Sequence, residues 1–195
     1  MFKNCLSISF FICLTALSGC CGEQCTKKRS DQPTATSYKQ GFLVGSVHVD
    51  NQTFQDLNVS GSFHGQHIIV NEDAIISGAI EADDIKIKGN LTVNGSSILQ
   101  NASIAKKTVI NGVLNASNST FTDVQASTIE IVFKNSTVNS IIIRKPSQSE
   151  EHKIQTVVLN HTTILGNITF EKAGGKVIVD NGTVIKGSII GGTII

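Results

Sequence analysis

From residue 56 onward apolar and polar residues alternate in short runs, as in DLNVSGSF (56–63), and each run is cut by Gly, Asn, Asp or Ser. A period of two marks a strand with one buried face. A slower period lies over it. Steps of seventeen residues align Leu57, Ala74, Leu91 and Thr108, and two places on Val59, Ile76, Val93 and Ile110. Phe63, Ile80, Ser97, Leu114 and Ile131 form the next column. Ile68, Ile85, Ala102 and Ser119, then Val70, Ile87, Ile104, Phe121 and Val138, complete the circuit. Gly61, Gly78, Gly95 and Gly112 form a column of their own, which ends at Ile129.

Such short strands would need a tight turn between every pair to make hairpins, and no helical stretch is present for crossovers. What remains is an all-β chain wound as a three-sided parallel β-helix with coils of about 17 residues. Alternate side chains fill a narrow core and neighbouring coils pair in register. The glycine column is expected at a corner that needs positive φ or the absence of a Cβ. Asn94 and Asn111, each preceding a column glycine, are read as left-handed residues. The Asn101, Asn118, Asn135 column predicts an amide ladder along another corner.

Regularity stops near Ile143. RKPSQSEEHK (144–153) is expected to leave the coil as an exposed insertion. The pattern resumes with a step of twenty-one, from Thr162-x-Ile164-x-Gly166-x-Ile168 to Thr183-x-Ile185-x-Gly187-x-Ile189, and EKAGGK (171–176) takes up the extra residues. The sequence finishes IIGGTII without a capping helix. Open strand edges invite another chain, so Ile189, Ile190, Ile194 and Ile195 are expected to form a self-association face for end-to-end stacking into homo-oligomers.

The first residues change the picture of where such a domain works. Lys3 followed by the apolar run LSISFFICLTAL (6–17) reads as a signal peptide over 1–19, too short to span a membrane. LSGC (17–20) then resembles the lipobox of bacterial lipoproteins, which implies cleavage before Cys20, acylation of its thiol, and a membrane anchor through lipid. Cys21 at the next position, in that resemblance, favours the outer membrane of a bacterial envelope. Residues 20–39 are polar and read as a tether, leaving 40–195 for the β-helix. The repeats contain no Cys, so packing rather than disulfides must hold them. With 16 Lys and Arg against 15 Asp and Glu the chain has no electrostatic basis for nucleic-acid binding.

The coils in DDIKIKGNLTVNG (83–95) and KTVINGVLNAS resemble those of bactofilins, over roughly residues 41–195. The resemblance implies a right-handed β-helix whose ends stack into non-polar filaments without nucleotide. The lipobox and the 144–153 insertion depart from that family.

Candidate chemistry is sparse. His64 and His67, with Asp84 one coil above, are the nearest approach to a metal site, and they read as corner residues facing water. Asp83 and Asp84 point to opposite faces and do not make a paired acid. Seventeen residues per coil do not fit hexapeptide acyltransferases, which use eighteen. No catalytic residue, metal, cofactor or small-molecule substrate is expected. Asn-x-Ser/Thr triplets, at Asn90, Asn101, Asn115, Asn118, Asn135, Asn160 and Asn167, follow from Asn- and Thr-rich corners. The expected function is that of a lipid-anchored, non-enzymatic envelope scaffold or polymer-forming element. The competing expectation is a surface adhesin or carbohydrate-binding lipoprotein, against which the scarcity of aromatics counts; the threonines are scattered, which counts against an ice-binding face.

Overall fold

The computed structural model describes residues 37–145 and 150–195. The segment read as a signal peptide and Cys20 lie outside the described residues, as does most of the segment read as a tether. Fifteen strands follow one another without a described α-helix. They are β1 (Ser37–Asp50), β2 (Thr53–Val70), β3 (Ala74–Ile87), β4 (Leu91–Gln100), β5 (Ser103–Ser117), β6 (Thr120–Ser127), β7 (Glu130–Lys134) and β8 (Thr137–Ile143). The later ones are shorter: β9 (Thr156–Asn160), β10 (Thr163–Ile164), β11 (Ile168–Phe170), β12 (Gly175–Val179), β13 (Val184–Ile185), β14 (Ile189–Ile190) and β15 (Gly192–Ile194). Every pairing is parallel, and β2, β3 and β4 pair at steps of seventeen residues. The chain is the three-sided parallel β-helix that its periodicity predicts.

Alternation decides what goes inside. One coil places Leu57 and Val59 inward on the first side, Phe63 on the second, and Ile68 and Val70 on the third, all at 0–4% exposure. The next coil repeats this with Ala74 and Ile76, Ile80 and Ala82, and Ile85 and Ile87. Stacked in this way the core runs unbroken from Phe54 to Val177. No single coil encloses its own core, so each is stable only between neighbours.

The glycine column is a corner. Gly61, Gly78, Gly95 and Gly112 have φ between 131° and 149°, a region side chains avoid. A Cβ on Gly78 or Gly95 would also collide with the carbonyl oxygen of the glycine one coil before it. Gly45 starts the column one coil earlier, sixteen residues before Gly61, in register with it.

A second corner carries the left-handed side-chain-bearing residues Asn51, His67, Asp84, Asn101, Asn118, Asn135 and His161, with φ between 47° and 55°. Asn and Asp tolerate this region best. The expectations for Asn therefore need correction. Asn94 and Asn111 lie in ordinary strand backbone, and the amide-to-amide bond falls there, Asn111 Nδ2 donating to Asn94 Oδ1 at 2.7 Å. Asn101 Nδ2 donates to Asp83 Oδ1 instead.

Next to this corner one inward column turns polar. Ala102 N donates to Ser119 Oγ (3.0 Å), Ser119 N to Ser136 Oγ (3.1 Å) and Ser136 N to Thr162 Oγ1 (3.5 Å). Each hydroxyl donates in turn to a backbone carbonyl two residues back, of Ser117, Lys134 and Asn160. The buried hydroxyls are thus satisfied in a ladder parallel to the axis.

The insertion and the EKAGGK bulge both leave at the glycine corner. Pairing stops at Ile143 and resumes where Thr156 meets Glu130. Gln155 closes the neck of the insertion, its Nε2 donating to the carbonyls of Thr128 (2.9 Å) and Arg144 (2.7 Å).

Candidate functional site

The last described coil is built from β13, β14 and β15, one short strand per side. They pair with β10, β11 and β12 respectively. Among the described residues no strand covers their far edges. Within the described residues these three sides end in unpaired backbone groups, the arrangement that accepts a further strand.

Inward parity places one isoleucine per side on this face. Ile185 follows Ile164, Ile189 follows Ile168 and Ile194 follows Val177, each predecessor fully buried. Ile185 and Ile189 still pack on the core, whereas Ile194 is 56% exposed. The four isoleucines expected at this end do not share a surface. Ile190 continues the outward position of Thr169 and Ile195 that of Ile178, so both sit on the flanks, 49% and 59% exposed. Ile185, read in the sequence only as a repeat position aligned with Ile164, joins this face.

Asp180 ties this coil to the one before. Its Oδ1 accepts from the N–H groups of His161 (2.8 Å) and Gly182 (3.2 Å) and from the Thr183 hydroxyl (2.9 Å). Its Oδ2 faces His161 Nδ1 at 2.5 Å. The His161 N–H, then the Thr183 hydroxyl, the His161 imidazole and the Gly182 N–H hold its carboxyl below the usual range, against desolvation.

At the opposite end Leu43 and Val49 lie partly buried against the core. Phe42 and Val44 point outward, 76% and 68% exposed. Among the described residues β1 pairs with β2 alone.

The histidines named in the sequence do not converge with Asp84. His64 Nδ1 lies 3.3 Å from Glu81 and His67 Nδ1 lies 3.3 Å from Asp50. His48 stacks on His64 with ring centroids 4.5 Å apart. His48, Asp50, His64 and Glu81 line an open groove with Gln66, Asp83 and Gln100. Among the described residues no three His, Cys, Asp or Glu side chains are placed to hold a metal ion. Threonines are less scattered than the sequence implied, for Ser103, Thr120, Thr137 and Thr163 align in one outward column. That column is a single residue wide.

No family model, curated protein or solved structure matches this chain.

Proposed function

We propose that this protein is a non-enzymatic structural element of the bacterial envelope, held to the outer membrane by lipid on Cys20, that assembles with its own copies end to end. The observation that supports assembly is the uncovered C-terminal coil, with three open strand edges around Ile185, Ile189 and Ile194. Another three-sided coil of the same kind pairs with all three edges and covers the apolar centre. A globular partner would meet one side at a time.

Sedimentation of the purified protein tests this. Large, concentration-dependent assemblies are expected, and Ile189→Lys with Ile194→Lys should reduce their size about tenfold or more with an unchanged far-UV spectrum. A monomer at all concentrations refutes the reading. Anchoring is separate, and Cys20→Ser should move the protein from the membrane fraction to the soluble one.

The groove lined by His48, Asp50, His64, Gln66 and Glu81 favours a second reading, a carbohydrate-binding surface protein. Glycan capture that His64→Ala abolishes, by a monomer, would favour it.

A further inference from the structure

The charges of the solenoid are sorted along its axis. Residues 37–85 contain seven Asp and Glu against a single Lys or Arg, Lys39, whereas residues 86–195 contain eleven Lys and Arg against six Asp and Glu. The acidic groups are solvated rather than neutralised internally. Asp50, Glu72, Asp73, Glu81, Asp83 and Asp84 are exposed. Imidazoles, amides and backbone N–H groups partner Asp50, Glu72, Asp73, Glu81 and Asp83.

We propose that copies stack head to tail, the C-terminal coil of one chain on the N-terminal coil of the next, to give a polar assembly. This rests on the end-stacking reading above and specifies its partner surface. Three arrangements compete. Joining two N-terminal ends brings together the two net-acidic segments, residues 37–85 of each copy. Joining two C-terminal ends turns every contact between coils from parallel to antiparallel, unlike any pairing among the described residues. Head-to-tail stacking continues the parallel register and brings the acidic coils towards the basic part of the neighbour. The outcome differs from the non-polar filaments that the bactofilin resemblance implies.

Register supplies the test. Ser46, Ser62, Ala79, Ser96 and Val113 share one outward column, which continues through Glu130, Thr156 and Lys176 to Thr193. In a head-to-tail stack Thr193 of one copy lies beside Ser46 of the next, and both positions are exposed. Parallel neighbours stand within disulfide reach. The full chain, with Cys5, Cys13, Cys20, Cys21 and Cys25 replaced by Ser, is kept in mild detergent. Lys27, Lys28 and Arg29 are retained. A mixture of Ser46→Cys and Thr193→Cys proteins should cross-link on oxidation about tenfold more than either alone. Raising ionic strength from about 0.01 M to about 1 M, which shortens the screening length from about 30 Å to about 3 Å, should cut that yield about tenfold.

Equal cross-linking of Thr193→Cys alone overturns the polarity and leaves end-stacking intact. Assemblies without cross-links of any pair also overturn it. A monomer throughout overturns both readings. A yield indifferent to salt overturns the electrostatic cause.

Discussion

Between Gly45 and Gly112 the chain turns its glycine corner with single residues stacked carbonyl over Cα, while beyond Ile143 it turns the same corner with loops, at 144–155 and again at 171–174. The other two corners change by single residues only, as across Asp180–Gly182, where the step goes from 20 at Leu159↔Val179 to 21 at Thr163↔Val184. At the glycine corner successive backbones come so close that a Cβ has no room. Glycine makes this turn tightest; Thr128 and Ile129 make it once without glycine, as a bend in which Thr128 Oγ1 accepts from Glu130 N at 3.2 Å. Both keep the seventeen-residue step, which the later loops lengthen.

Substitutions at glycines of the two regions should differ most. Gly95→Ala meets both an unfavourable φ of 149° and the Gly78 carbonyl, and should cost about 2–6 kcal/mol. Gly174 has φ of 92° and open space where a side chain would begin, with no neighbouring atom within 4 Å, so Gly174→Ala should cost about 1 kcal/mol. Denaturant unfolding of the two variants measures the gap. Equal losses would mean that φ alone, and not stacking, fixes the corner.

A smaller contrast separates paired from unpaired hydroxyls inside the core. Ser136→Ala removes the acceptor of the Ser119 N–H and leaves that donor buried, at about 1–3 kcal/mol. Thr108 is equally buried, yet its hydroxyl has no partner. Thr108→Val keeps the shape and should be neutral or stabilise by up to about 1 kcal/mol. If both variants lose stability alike, the ladder contributes no more than packing does.

How much of this could be read from the sequence follows the same division. Columns such as Leu57–Ala74–Leu91 were legible because a strand's alternation and the coil's closure act together on every residue. The left-handed corner was harder, since His67 and Asp84 occupy it alongside Asn101 and Asn118 and no residue type announces it. It also accounts for Asn-x-Ser/Thr at Asn101, Asn118 and Asn135: a left-handed residue, a small inward one, then an outward hydroxyl paired with its neighbours. At the C-terminal end the apolar residues were evident but their directions were not. Ile189 and Ile190 differ only in parity, and parity is fixed by pairing with Ile168 and Thr169. Ile185 was legible as a repeat position, and only its pairing with Ile164 places it on the end face.

The mildest test is acid, and it again sets the last coil against the first ones. Asp180 has a folded-state pKa below its ordinary 3.8, so its contribution is complete above that value and vanishes as pH falls through the lower folded one. Acidification below about pH 4 should therefore loosen the coil carrying β13–β15 while Gly61, Gly78 and Gly95, whose corner has no titrating group, stay protected. Amide hydrogen exchange at Gly182 and Thr183 reads this directly. In Asp180→Asn those amides should exchange faster at neutral pH and lose their dependence on acid. Exchange that rises together in both regions would show that the open coil is held by packing of Ile185 and Ile189 rather than by the carboxylate latch.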